Sequence, residues 1–217
     1  MSLRIGVLVS GRGTNLQAII DAIERGELDA QIVLVISNHR HAPALARAAA
    51  HGIPALAITF KEYGSRRAQQ LAMLREFQAR GAELIVTAGF DRVLIPEFVQ
   101  AYAGRIINIH PSLLPAFAGG MAPRPQAEAL AAGVKIAGCT VHFVTEEVDA
   151  GPIILQAAVP VEEDDTVETL SARILEQEHR ILPRAIQLFA EGRLRIEGRR
   201  VRILPAPEPA ARPAGKS

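Results

Sequence analysis

The chain has 217 residues, 49% of them hydrophobic, and its charges nearly cancel, with 24 Lys and Arg against 23 Asp and Glu. That length suits one sizeable α/β domain or two small ones with a continuous core, and the balanced charge excludes a general electrostatic attraction to nucleic acid. No apolar run approaches the roughly 20 residues needed to cross a bilayer, no signal-type segment is read at the start, and Cys139 is the only cysteine, which excludes internal disulfides and cysteine-rich metal sites. The expectation is a cytoplasmic protein acting on small molecules, with no nucleic-acid or membrane partner.

Arg4 to Val9 form a short apolar run that feeds Ser10-Gly11-Arg12-Gly13-Thr14-Asn15, after which Leu16, Ile19, Ile20 and Ile23 recur at helical spacing. This reads as a strand, a glycine-rich turn and a helix. Such a turn exposes its amides and the helix N-terminus adds a partial positive charge, so a phosphate can sit here with Arg12 assisting; an ordinary tight turn is the alternative. Leu16 stands where a dinucleotide fold needs its third glycine, and the second strand, Gln31 to Ser37, ends in Asn38 and His39 with no acid for a ribose hydroxyl. NAD binding is therefore not expected, and the absence of a following Gly-Lys-Ser/Thr excludes a Walker loop.

A helix from Pro43 to His51 stopped by Gly52 and a short strand from Pro54 to Ile58 continue the βαβ rhythm. An amphipathic helix from Ser65 to Ala79 buries Leu71, Leu74 and Phe77 and is closed by Gly81. Leu84 to Ala88 is a nearly continuous apolar strand, as expected for one covered on both faces, and it ends in Gly89-Phe90-Asp91-Arg92-Val93-Leu94. Pro96 then opens a short helix.

The stretch Arg105 to Pro115 is a buried strand that stops on polar residues and two prolines. Side chains two apart on a strand share a face, so Asn108 and His110 lie side by side at its carboxyl end, where open α/β sheets bind ligands. Gly138 to Val144 makes another strand and delivers the acids Glu146, Glu147 and Asp149 on the next loop; Asp149 precedes Ala-Gly-Pro, a small rigid turn that permits close approach. Ile153 to Pro160 returns as a strand. Thr166 caps a long helix reaching about Glu191 that Pro183 should kink, Leu194 to Ile196 and Val201 to Ile203 form a hairpin, and Pro205 to Ser217 reads as a disordered tail. A strand-end amide beside an imidazole, with no serine or cysteine convincingly paired with a base, suggests acyl transfer without a covalent enzyme intermediate. In that chemistry Asn108 donates to an oxygen developing negative charge.

The run Asn108-Ile109-His110-Pro111-Ser112-Leu113-Leu114-Pro115 closely resembles the Asn-x-His-Pro-Ser-Leu-Leu-Pro signature of the folate-dependent formyltransferases, and the likeness extends from about Arg4 to about Arg199. It is greatest to the branch that formylates phosphoribosylglycinamide. The resemblance implies an open, mostly parallel twisted α/β sheet with helices on both faces, Rossmann-like, with a C-terminal antiparallel extension. It implies one domain over residues 1–204, with a phosphate-binding half over 1–100 and a folate and catalytic half over 101–204.

The implied activity is transfer of the formyl group of 10-formyltetrahydrofolate to the primary amine of 5'-phosphoribosylglycinamide, in purine biosynthesis, by direct attack of the amine. No metal takes part, and the protein would be a monomer or homodimer. Asn108, His110 and Asp149 match the catalytic positions, with Asp149 beside the histidine. Gly13, Thr14 and Asn15 match the loop that holds the substrate's phosphate, and Glu178 the contact to its glycinamide end. Arg66, Arg92, Val93, Leu94 and Asn108 match the folate positions. Asp91 stands where the family usually has methionine and is expected to face solvent. The loop Gly119 to Gln126 is longer than the family's, and no residue is carried over from it. The rival readings are a formyltetrahydrofolate deformylase, which uses water as acceptor, a methionyl-tRNA formyltransferase, whose Gly-Ala-Ala-Pro segment the loop Gly119 to Gln126 faintly resembles, and a non-catalytic nucleotide-binding module, which need not retain Asn108, His110 and Asp149 together.

Overall fold

A computed structural model describes residues 2–206 of the chain. The elements in order are β1 (Leu3–Val9), α1 (Thr14–Glu24), β2 (Ala30–Ser37), α2 (Pro43–Ala50), β3 (Ala55–Ala57), α3 (Phe60–Tyr63), α4 (Arg66–Ala79), β4 (Leu84–Thr87), α5 (Pro96–Ala101), β5 (Ile106–His110), α6 (Arg124–Ala131), β6 (Ile136–Phe143), β7 (Ile153–Pro160), α7 (Val167–Ala190), β8 (Leu194–Glu197) and β9 (Arg200–Ile203). Among the described residues they form one nine-stranded sheet in the order β3-β2-β1-β4-β5-β6-β7-β9-β8. Strands β3 to β5 pair in parallel, β6 runs antiparallel to both β5 and β7, and the hairpin β8–β9 closes the far edge. The expected sheet is thus present, and its antiparallel part begins at β5. Most of the tail expected over 205–217 lies outside the described residues, from residue 207 onward.

Alternation along the strands divides the core into two layers, one on each side of the sheet. Ile5, Val7 and Val9 of β1 and Leu84 and Val86 of β4 pack on one side with α1 and α7, whereas Leu8 and Ile85 pack on the other with Met73 and Phe77 of α4 and Phe98 of α5. Phe77 and Phe98 meet edge to face at 6.4 Å and both are fully buried, so each supplies about 1.5–3 kcal/mol of hydrophobic stabilisation.

Two features depart from the sequence reading. The short helix α3 was not foreseen; its signal is Thr59-x-x-Glu62, in which the Glu62 carboxylate accepts the Thr59 N–H at 3.0 Å. The next helix begins one residue later than expected because Ser65 is its cap, accepting the Ala68 N–H at 3.1 Å. At α7 the expected cap holds: Thr166 accepts the Thr169 N–H at 3.2 Å, and the helix continues as one element through Pro183.

Candidate active site

The carboxyl ends of β1, β4 and β5 open on the same edge of the sheet, and parallel register sets Thr87 of β4 beside Asn108 of β5. The Thr87 hydroxyl donates to Asn108 Oδ1 at 2.6 Å, which fixes the orientation of the amide. On the other flank β5 pairs antiparallel with β6, bringing His142 opposite Asn108. His142 Nδ1–H donates to the Phe143 carbonyl at 2.9 Å, so Nε2 is free to accept the Asn108 amide at 3.1 Å. Burial pushes the His142 pKa down, against the pull of the Phe143 carbonyl and Asp149, in keeping with a neutral ring. With Oδ1 and one N–H taken, Asn108 keeps its second N–H for a ligand.

His110 is almost fully buried, and both of its ring nitrogens face oxygens: Nε2 donates to the Phe117 carbonyl at 3.1 Å and Nδ1 lies 3.3 Å from Asp149 Oδ2. The same Asp149 oxygen accepts the Gly119 N–H at 2.7 Å, while its partner lies 3.7 Å from His142 Nε2. Asp149 reaches this position from a left-handed backbone conformation, φ 52°, and Phe117 is held at φ 55°. Such conformations cost non-glycine residues about 1–3 kcal/mol and persist where the surroundings over-determine them. The turn after Asp149 requires Gly151, where an added Cβ would stand 1.7 Å from the Phe143 carbonyl oxygen. Asn108, His110 and Asp149 therefore form one cluster, as expected. The sequence did not disclose that Thr87 orients the amide, or that backbone groups of Phe117 and Gly119 bind the other two. The segment after Pro115, from which no residue was carried over, folds back onto this pair.

Two candidate nucleophiles are otherwise engaged. The Ser112 hydroxyl donates to the Ala116 carbonyl at 2.6 Å. Burial, reinforced by the Glu178 carboxylate, pushes the Cys139 thiol up to about 12, so a reactive thiolate is suppressed.

At the end of β1 the glycine-rich turn is locked by α2. The Ala44 N–H donates to the Gly11 carbonyl at 3.2 Å and Arg47 Nε to the Arg12 carbonyl at 2.8 Å. Gly13, at φ 74°, caps α1 in the left-handed region, and an added Cβ would lie 2.6 Å from Ala44 Cβ. No side chain caps α1, leaving its first-turn amides open to an anion. Gly13 and Thr14 thus stand at the open N-terminus of α1. Asn15 turns inward instead, 8% exposed, and its Nδ2 donates to Glu178 Oε2 at 2.7 Å. Glu178, on the central part of α7, is 6% exposed rather than solvated as helix carboxylates usually are. Burial drives its pKa up to about 7 against the opposing Asn15 hydrogen bond.

The segment after β4 is braced from α4 by the buried Gln70, which donates to the Val93 carbonyl at 2.9 Å and accepts the Ile95 N–H at 2.8 Å. Arg92 and Val93 are exposed, Leu94 joins the core beneath them, and Arg66 lies exposed at the start of α4, one turn before Gln70. Asp91 corrects the sequence reading: it does not project into solvent but accepts Asn38 Nδ2 at 2.6 Å and His39 Nε2 at 2.7 Å. Among the described residues no helix is long and apolar enough to cross a membrane.

A sheet that gathers an amide, an imidazole and a carboxylate at one strand end, with an anion-ready turn alongside, has the layout of a group-transfer enzyme; residues 3–186 match the formyl transferase family, and the chain belongs to it. Its relatives narrow the comparison. The chain is 45% identical over 194 residues to a phosphoribosylglycinamide formyltransferase of Haemophilus influenzae, covering 89% of this chain and 90% of that protein. It is 49% identical over 194 residues to the trifunctional purine biosynthetic protein adenosine-3 of Gallus gallus, of which it spans only 19% of the length. The crystal structure of glycinamide ribonucleotide transformylase 1 from Symbiobacterium toebii superposes with a TM-score of 0.91 at 55% identity, covering 94% of this chain and 95% of that one.

Proposed function

We propose that this chain, acting in the cytoplasm, transfers the formyl group of 10-formyltetrahydrofolate to the primary amine of 5'-phosphoribosylglycinamide. The observation that carries the reading is the Asn108 amide: Thr87 and His142 take one oxygen and one N–H, leaving a single oriented donor beside His110 and Asp149. A donor already held in place stabilises a developing oxyanion without reorganising, an effect of roughly 3–4 kcal/mol in measured sites. His110 stabilises the same oxygen once its Nε2 exchanges the Phe117 carbonyl for it, and Asp149 keeps the ring oriented and accepts, through water, the proton released by the attacking amine.

The open amides of Gly13 and Thr14 suit the substrate phosphate, and Glu178 with Asn15 suits its glycinamide end. The exposed backbone and side chains of Arg92 and Val93, floored by Leu94 and flanked by Arg66, suit the folate, which supplies an electrophilic formyl carbon when bound. With Ser112 and Cys139 engaged elsewhere, the amine attacks directly. The test is folate product formation, followed by absorbance, with and without phosphoribosylglycinamide at matched enzyme concentration. Turnover only with the amine supports transfer. Equal turnover without it would instead support hydrolysis, and no turnover in either arm would refute both.

A further inference from the structure

We infer that Asp91 is a positioning residue whose carboxylate fixes the glycine-rich turn and the Arg92–Leu94 segment together, so that one side chain sets the affinity for both substrates. The inference rests on the reading above, in which the first stretch holds the phosphate and the second the folate. Its basis is a closed ring of hydrogen bonds across three loops. The Asp91 N–H donates to Ser10 Oγ at 2.9 Å, the Ser10 hydroxyl donates to Asn38 Oδ1 at 2.6 Å, and Asn38 Nδ2 returns a hydrogen bond to Asp91 Oδ1 at 2.6 Å. All donors point the same way round, the arrangement in which hydrogen bonds polarise one another.

The second Asp91 oxygen, Oδ2, takes His39 Nε2 at 2.7 Å, Arg92 Nε lies 3.6 Å from Oδ1, and the Ser10 N–H donates to the Gly89 carbonyl at 3.0 Å. Burial opposes ionisation of Asp91, but the hydrogen bonds from His39 and Asn38 outweigh it and hold the carboxyl below its ordinary range. The ring joins the carboxyl ends of β1, β2 and β4. Ser10 immediately precedes the turn that Ala44 and Arg47 hold from its other side, and Asp91 immediately precedes the segment that Gln70 holds from below. Each substrate-facing stretch is therefore pinned at two points, and Asp91 is the pin they share. An apolar side chain at this position keeps the backbone N–H bond to Ser10 but accepts neither Asn38 nor His39, which opens the ring and strands Asn38 Nδ2, whose residue is only 7% exposed.

The test uses the full chain with Asp91→Leu and Asp91→Asn. Asp91→Leu should raise KM for both substrates by about tenfold while kcat stays within about threefold; Asp91→Asn, which keeps an oxygen facing Asn38, should return both KM values to within about threefold of the parent. A lower melting temperature with both KM values unchanged would make the ring purely structural and overturn the inference, as would a rise in only one KM or a loss confined to kcat. Turnover of the unsubstituted chain is measured first, because its absence counts against formyl transfer and not against the shared pin. In that event calorimetric affinities for tetrahydrofolate and ribose 5-phosphate, measured on the same three proteins, decide the matter by the same criterion.

Discussion

Replacing Glu178 by glutamine should stabilise the protein at alkaline pH and leave it almost unchanged under mildly acidic conditions. In the folded chain burial raises the Glu178 pKa from an ordinary 4.5 to about 7, so between those values the folded state holds a proton that the unfolded state has released. The stability this proton linkage provides is fully present below pH 4.5 and is lost as pH rises through 7. Above 7 the buried carboxylate costs about 3 kcal/mol, from a shift of about 2.5 pKa units. Glutamine never ionises, yet its side-chain oxygen can still accept the Asn15 Nδ2 hydrogen bond. Thermal unfolding of both proteins at pH 5 and pH 8.5 measures the difference. For a chain of this size the variant should melt about 6–12 °C higher at pH 8.5 and near the parent at pH 5. An equal offset at both pH values would show that Glu178 is not a buried ionisable group with a raised pKa, and the reasoning would fail. The same variant should bind phosphoribosylglycinamide more weakly, because a carboxylate kept at a stability cost is characteristic of a binding site.

Asn108→Ala should lower kcat by about 10²–10³ with substrate affinities largely kept, a split read from steady-state kinetics. Asp149→Asn should fold normally by circular dichroism and lose about 10²-fold or more in turnover, with little change in affinity for the phosphate substrate; unchanged turnover would remove Asp149 from the mechanism. Thr87→Val frees the Asn108 amide to rotate and should cost roughly 5- to 10-fold in kcat, well short of deleting the amide. Gly13→Ala should destabilise the chain by about 1–3 kcal/mol in urea unfolding, because the left-handed φ and the Ala44 contact both resist a Cβ.

The parts of this protein that follow local rules were legible in the sequence. Alternation in Asn108-Ile109-His110 gave the shared face, the run of apolar residues in Leu84 to Val86 gave a strand covered on both sides, and Thr166 gave the cap of α7. What escaped depends on which strands become neighbours. Thr87 meets Asn108 only because β4 flanks β5, and no spacing in the sequence encodes that order. Glu178 was singled out by resemblance alone, and its burial was not legible because α7 has to dock on α1 before the residue is covered. Asp91 was misread for a similar reason: its partners lie 53 and 52 positions away on the loop after β2. The longer loop after Pro115 escaped because its contacts to His110 and Asp149 are made by backbone atoms, which leave no trace in residue identity.

The bond between Asn15 and Glu178 also orders the assembly of the molecule in time, since it joins residues 163 positions apart. Contacts of that separation carry a large loop-closure cost and are rewarded late in folding. During synthesis the glycine-rich turn leaves the ribosome well before α7. A nascent chain stalled before α7 already carries Asn108, His110 and Asp149 but has no buried carboxylate for Asn15. It also leaves bare the apolar face of the sheet that Leu170, Ile174, Leu182 and Ile186 cover in the finished protein. Exposed apolar surface of that kind is what makes incomplete chains prone to aggregate.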